Sequence, residues 1–187
     1  MSRMKSDWPS DTRWRAGLDA IQAGRLQYTP EQVAYYDLIA DQALAFFDLP
    51  VGYVLDVGCG TGWLERRLAV GSKYIGVDVC GPYLKGVWRM NAEALTFGDP
   101  MFDAVVCYSV LQHVRFPSVA LTEMARVLKS GGVIALLACV DDPNPMFMHQ
   151  WTAREFEGVL RSFDDMFDAW RTTILDQRHY VTRAVRR

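Results

Sequence analysis

From residue 53 onward, short apolar runs alternate with stretches of helical periodicity. The runs 53–57, 74–77, 87–90, 104–108 and 133–140 are rich in aliphatic and β-branched side chains and predict strands. The last is the most apolar, which places it at the centre of a sheet, buried on both faces. Ahead of them, Thr29-Pro30-Glu31-Gln32 reads as a capping box with Pro at the first helical position. It opens a helix to about Phe47, with Tyr36, Ile39, Ala40, Ala43 and Phe47 on one face, stopping before Pro50. A short helix is predicted at 63–69. Another spans 119–129, with Leu121, Met124, Ala125 and Leu128 in a stripe ended by Gly131 and Gly132. Thr152 and Glu155 form a second capping box, opening a helix to about Ser162. The strands 169–175 and 179–185 are joined only by a turn at Asp176-Gln177, too short for a crossover, so they must be antiparallel. Alternating strands and helices predict an α/β fold, doubly wound and Rossmann-like, with seven strands, mostly parallel, the last antiparallel. Ligands in such sheets sit at the carboxyl ends of the strands.

With 187 residues the chain fits one domain. Half of the residues are hydrophobic and 22% charged, too apolar a mixture for disorder. A net charge of -2 supplies no global attraction to a polyanion, so nucleic-acid binding is not expected. The apolar run 133–140 is far shorter than the ~20 residues that span a bilayer, and the N-terminal stretch has no apolar signal region. Cys59, Cys80, Cys107 and Cys139 show no metal-type spacing and are expected to be free thiols in a reducing cytoplasm. Residues 1–28 lack strong periodicity but hold Trp8, Trp14 and Tyr28, and are expected to pack against the rest.

Candidate chemistry concentrates in residues 54–64, VLDVGCGTGWL, where an apolar strand enters a glycine-rich turn that lets a ligand approach the backbone closely ahead of the predicted helix. The dinucleotide fingerprint requires glycine at the sixth position of its turn, where this chain has Trp63; a nicotinamide oxidoreductase is therefore disfavoured. Asp78 ends the second strand 22 residues after Asp56, where a carboxylate can accept from both hydroxyls of a ribose.

These segments resemble the class I S-adenosylmethionine-dependent methyltransferases, of the small-molecule type with a GCGTG turn. The likeness runs from about residue 53 to 139. It includes Asn91-Ala92-Glu93-Ala94-Leu95-Thr96-Phe97, similar to the family's DAExLPF segment, then 102–106, 110–114 and 123–132. The resemblance implies S-adenosylmethionine as cofactor. Asp56 and the backbone amides around Gly58, Cys59 and Gly60 would hold its methionine part, Asp78 its ribose, and Asn91 with the Ala92 amide its adenine edge. Ser109 would line the floor near the sulfonium, and His113 is the candidate catalytic group on the acceptor side. No metal is implied. Asn91 stands where the family commonly has Asp, although an amide oxygen can still accept from the adenine amino group. The short gap between Asp78 and Asn91 leaves little room for the usual intervening helix.

The implied organisation is a single methyltransferase domain over 1–187: an N-terminal helical cap (1–50), a cofactor-binding core (51–140) and an acceptor-side loop, helix and strand pair (141–187). The acceptor would be a small molecule selected by residues outside the likeness. Tyr35, Tyr36, Phe147, Met148, His149 and Trp151, with Trp8, Trp14, Tyr28 and Met146, are candidates for an aromatic lid. Residues 141–176 carry eight carboxylates against three arginines, a surface that repels phosphates. A cofactor-binding scaffold or regulator without turnover is the alternative function. Glu123, Arg126 and Lys129 are read as a helix-face charge set.

Overall fold

The computed structural model describes residues 29–79, 87–144 and 147–187. Side chains alternate between the two faces of a strand, so odd and even positions pack into different layers. Along β1 (Tyr53–Val57), β2 (Lys73–Asp78), β3 (Val87–Arg89), β4 (Phe102–Tyr108) and β5 (Leu128–Cys139), both faces are used. Leu55, Val57, Val105, Cys107, Ile134, Leu136 and Ala138 feed one buried cluster; Val54, Ala104, Val106, Ala135 and Leu137 feed the other. Burial on both sides is why the sequence shows apolar runs rather than strict alternation.

Helix α1 (Pro30–Phe47) covers the second cluster through Ile39, Ala43 and Phe47. Helices α2 (Pro117–Val127) and α3 (Ala153–Arg161) cover the first through Leu121, Met124, Ala125, Phe156 and Leu160. Both predicted capping boxes are formed: Thr29 with Gln32 opens α1, and Thr152 with Glu155 opens α3. Strands β6 (Arg171–Leu175) and β7 (His179–Val185) flank a turn in which Asp176 and Gln177 both have positive φ, 51° and 55°. Leu175 pairs His179, so the loop has three residues, closed by the Arg178 amide on Leu175 O at 3.3 Å.

The strand order is β3-β2-β1-β4-β5-β7-β6. Neighbours among the first five pair in parallel, and β7 runs antiparallel to both β5 and β6. The doubly wound, Rossmann-like α/β expectation holds. Because the order reverses between β1 and β4, the crevice at their carboxyl ends is the expected ligand position.

Three local expectations are corrected. No α-helix follows the glycine turn. Residues 59–67 are closed by i→i+3 bonds, from the Gly62 amide to Cys59 O (2.8 Å), Glu65 to Gly62 (3.2 Å) and Arg67 to Leu64 (2.9 Å), with one 3₁₀ turn at Glu65–Arg67. Arg67 then bonds Asp41 (2.7 Å) and Asp37 (2.8 Å) of α1, which ends the segment against that helix. Second, the helix placed at 119–129 is Pro117–Val127, and Leu128 already begins β5. Gly131 and Gly132 lie inside that strand, where Phe102 pairs Leu128 but Ala104 pairs Val133, so the extra residues bulge outward with Gly131 at φ 79°. Third, Tyr36 is 42% exposed although the other four residues of its proposed face are buried.

Candidate active site

The glycine turn leaves β1 at the topological switch. Gly58 has φ 74°, and a Cβ there would lie 2.2 Å from Val110 Cγ2, so glycine is required twice over. A Cβ on Gly60 meets nothing within 4 Å, which marks open space beside the turn. The amides of Gly58 and Cys59 both donate to Val77 O, at 2.7 and 3.1 Å, hanging the turn on β2. The Gly60 amide donates to Asp78 Oδ2 at 3.0 Å, a side chain rather than the sheet backbone. Without a helix behind the turn, no helix dipole assists it.

Asp56 is fully buried beneath this turn. Tyr74 Oη donates to its Oδ2 at 3.0 Å, while Oδ1 has no partner among the described residues. Burial pushes its carboxyl up to about 7, with the Tyr74 bond opposing and the nearby Asp78 adding to the rise. Gly76 makes room for this arrangement, since a Cβ there would meet Tyr74 Oη at 2.6 Å and Cys59 Sγ at 2.9 Å. Burial also pushes the Cys59 thiol up to about 12, so it is no nucleophile. Cys107 and Cys139 are likewise free and buried; Cys80 lies outside the described residues.

The structure brings Asp78 to the glycine turn and sets Asn91 and Ala92 just past β3. Asn91 Oδ1 already accepts the Glu93 amide at 2.9 Å, leaving one lone pair. Ala92 is buried. Behind them, the charge set on α2 is a scaffold. Arg126 donates to Leu95 O (2.8 Å), Phe97 O (2.7 Å) and Gly98 O (3.1 Å) and pairs with Glu123, which accepts the Leu95 amide at 2.9 Å. Lys129 belongs to β5 rather than to the helix face expected for it, and pairs with Asp103 at 2.7 Å.

Ser109 leaves β4 with φ 55°, a left-handed backbone rare outside glycine, and its amide still bonds Leu137 O at 2.8 Å. Its hydroxyl lies 3.8 Å from Cys139 Sγ. His113 ends the 3₁₀ turn Leu111–His113, and its ring meets Phe147 edge-on at 5.1 Å. The loop after β5 is tied to that turn by the Met148 and His149 amides, which both donate to Gln112 O. His149 and Trp151 are structural, stacked at 5.0 Å with His149 Nε2 against Val114 O at 3.0 Å. Trp8, Trp14, Tyr28 and Met146 lie outside the described residues.

Sequence reasoning did not single out Tyr108 or His179. Tyr108, Cys139 and His179 occupy alternate-face positions continuing Val106, Leu137 and Val181, so they share the α1 side of the sheet at its ligand edge. Trp63 packs on Tyr108 at 4.7 Å, and Tyr35 on His179 at 6.1 Å. Period-two parity places Tyr108 on this face, but His179 follows only from the β5–β7 pairing, a long-range fact.

Residues 55–136 match the family described as a methyltransferase domain. Over this segment the chain is similar to methyltransferases. The chain is 33% identical over 119 residues to an uncharacterized methyltransferase of Mycobacterium tuberculosis, covering 57% of this chain and 58% of that one. It is 37% identical over 99 residues to the ubiquinone biosynthesis O-methyltransferase of Dechloromonas aromatica, covering 44% and 42%. The chain thus spans about half the length of the curated relatives it matches. Its fold is that of the Burkholderia thailandensis 1,6-didemethyltoxoflavin-N1-methyltransferase, solved with 1,6-didemethyltoxoflavin and S-adenosylhomocysteine bound. The TM-score is 0.69 at 18% identity, over 92% of this chain and 86% of that one. S-adenosylmethionine is the general cofactor of such methyltransferases. Among the described residues, no cluster suited to a metal ion occurs and no helix is long and apolar enough to cross a membrane.

Proposed function

We propose that this methyltransferase domain transfers the methyl group of S-adenosylmethionine to a small-molecule acceptor. The observation that carries the reading is the meeting of the glycine turn and Asp78, with open space beside Gly60 and a buried, half-satisfied carboxylate at Asp56. An orphaned carboxylate oxygen under a cleft fits a cationic ligand, because a nearby positive charge favours the ionised form that burial opposes. The bound cofactor supplies a methyl group already activated by its positive sulfur.

In this reading Asp78 accepts from the ribose hydroxyls, and Gly60 with Asp56 faces the methionine part; Gly58 and Cys59 hold the turn open rather than donate. Asn91, through its remaining lone pair, and the Ala92 amide meet the adenine edge. Ser109 lines the floor near the reacting carbon. His113, with Phe147, borders the acceptor side. The work left to the protein is to align the incoming nucleophile and exclude water, which can supply several kcal/mol of the barrier. A small acceptor agrees with the acidic stretch 141–176, with the bound ligand of the toxoflavin enzyme, and with the name of the ubiquinone relatives.

Calorimetric titration with S-adenosylmethionine, S-adenosylhomocysteine and NAD tests the cofactor. Saturable binding of the first two and none of NAD is expected. Binding of NAD alone would restore the oxidoreductase reading.

A further inference from the structure

At the ligand edge of the sheet, on the face shared with Asp56, two polar atoms are buried without a hydrogen-bond partner among the described residues: Tyr108 Oη and His179 Nδ1. His179 is only 6% exposed. An unpaired buried polar atom costs about 1–3 kcal/mol, so two on one face of the sheet call for a partner. Each has an aromatic neighbour. Trp63 packs on Tyr108, and Tyr35 packs on His179. Tyr35 is itself fixed by donating to Asp176 in the β6–β7 turn. The row joins the cofactor side directly, because Cys139 pairs with His179 across β5 and β7 and sits against the Ser109 hydroxyl.

Resting on the methyl-transfer reading, we propose that His179 is the proton acceptor for the methylated group, and that the acceptor is a small hydroxylated aromatic molecule whose ring lies among Trp63, Tyr35 and Tyr108. The aromatic side chains gathered at this edge suit a planar molecule. A buried neutral imidazole nitrogen suits a hydroxyl that must lose its proton, and the Tyr108 hydroxyl can meet a second oxygen on the same ring. The groups that face His179 are Tyr35 from α1, Cys139 from β5, Asp142 from the loop after β5, and Asp176 and Arg178 from the hairpin turn. Burial lowers the pKa of the imidazole against the pull of Asp176 and Asp142, which keeps it neutral and able to accept at pH 7. In the step, the acceptor O–H bond breaks and its proton passes to His179 Nδ1, which later yields it to water. The oxygen pair forms the bond to the methyl carbon, and the carbon–sulfur pair returns to sulfur, leaving a neutral thioether.

The chain has three histidines, His113, His149 and His179, so ¹⁵N-histidine spectra of the full chain saturated with S-adenosylhomocysteine can be assigned from single variants. Catechol is the probe. We expect saturable movement of the His179 Nδ1 resonance on adding catechol. In His179→Gln, methyl transfer to catechol should fall by about 100-fold or more and its acidic pH limb should vanish, while S-adenosylhomocysteine affinity stays the same. Catechol leaving His179 unmoved in protein that binds S-adenosylhomocysteine, or an unchanged rate and pH profile in His179→Gln, overturns this proposal and spares the methyltransferase reading. Failure to bind S-adenosylhomocysteine overturns both.

Discussion

Asp56 and Asp78 lie on adjacent strands at the same edge, yet the protein treats them differently. Asp78 is partly exposed and takes the Gly60 amide, so its loss removes a charged acceptor without opening the core. Asp78→Ala should weaken S-adenosylhomocysteine binding by about 2–4 kcal/mol, some 30-fold to 1000-fold, with thermal stability retained. Unchanged affinity in a titration of the folded variant would remove Asp78 from the ribose. Asp56 instead carries its proton in the folded chain up to about pH 7, whereas an unfolded carboxyl releases it near 4. Between those values the folded state binds more protons than the unfolded one, so stability falls as pH rises, by up to about 1.4 kcal/mol per unit. Asp56→Asn should erase this slope. Urea midpoints of the two proteins at pH 4 and pH 7 check it: the variant should gain on wild type as pH rises between these values, and parallel behaviour would show an ordinary carboxyl.

At the scale of elements, the segment that follows β3 is held by one guanidinium. Arg126 of α2 reaches three carbonyls of residues 95–98 as well as Glu123. Arg126→Ala should cost about 1–3 kcal/mol in urea unfolding and also weaken S-adenosylhomocysteine binding, because Asn91 and Ala92 adjoin the released segment. Arg126→Lys should rescue little, since an ammonium cannot span a fork of five bonds. Wild-type affinity in Arg126→Ala would separate this segment from the site. The sequence made the elements legible wherever a local rule decides the outcome: both capping boxes, the hairpin turn and the doubly buried strands follow from residue types at fixed offsets. It misled where a local rule yields to a longer one. Residues 63–69 look helical, but seven residues nucleate a helix poorly, and Arg67 is drawn to α1 instead. Gly131 and Gly132 look like a helix stop, but pairing with β4 recruits Leu128 into the sheet first.

Across the whole molecule, one face of the sheet collects the proposed site residues. From Asp56 through Tyr108 and Cys139 to His179, alternate-face positions of four strands line the same edge, with α1 packed on that face. The cofactor half of this row was legible because the glycine turn and Asp78 are contiguous motifs. The proposed acceptor half was not, since His179 is brought beside Cys139 only through the register of β7 on β5. With a net charge of -2 and an acidic 141–176 stretch, a polyphosphate has no attractive field to follow. The most direct test is to incubate the protein with tritiated-methyl S-adenosylmethionine and compare label in a small-molecule extract with label in tRNA, rRNA and DNA. Methyl transfer to a small molecule predicts label in the extract with one S-adenosylhomocysteine released per methyl; salt-sensitive labelling of any nucleic acid, or no S-adenosylhomocysteine released, would contradict it.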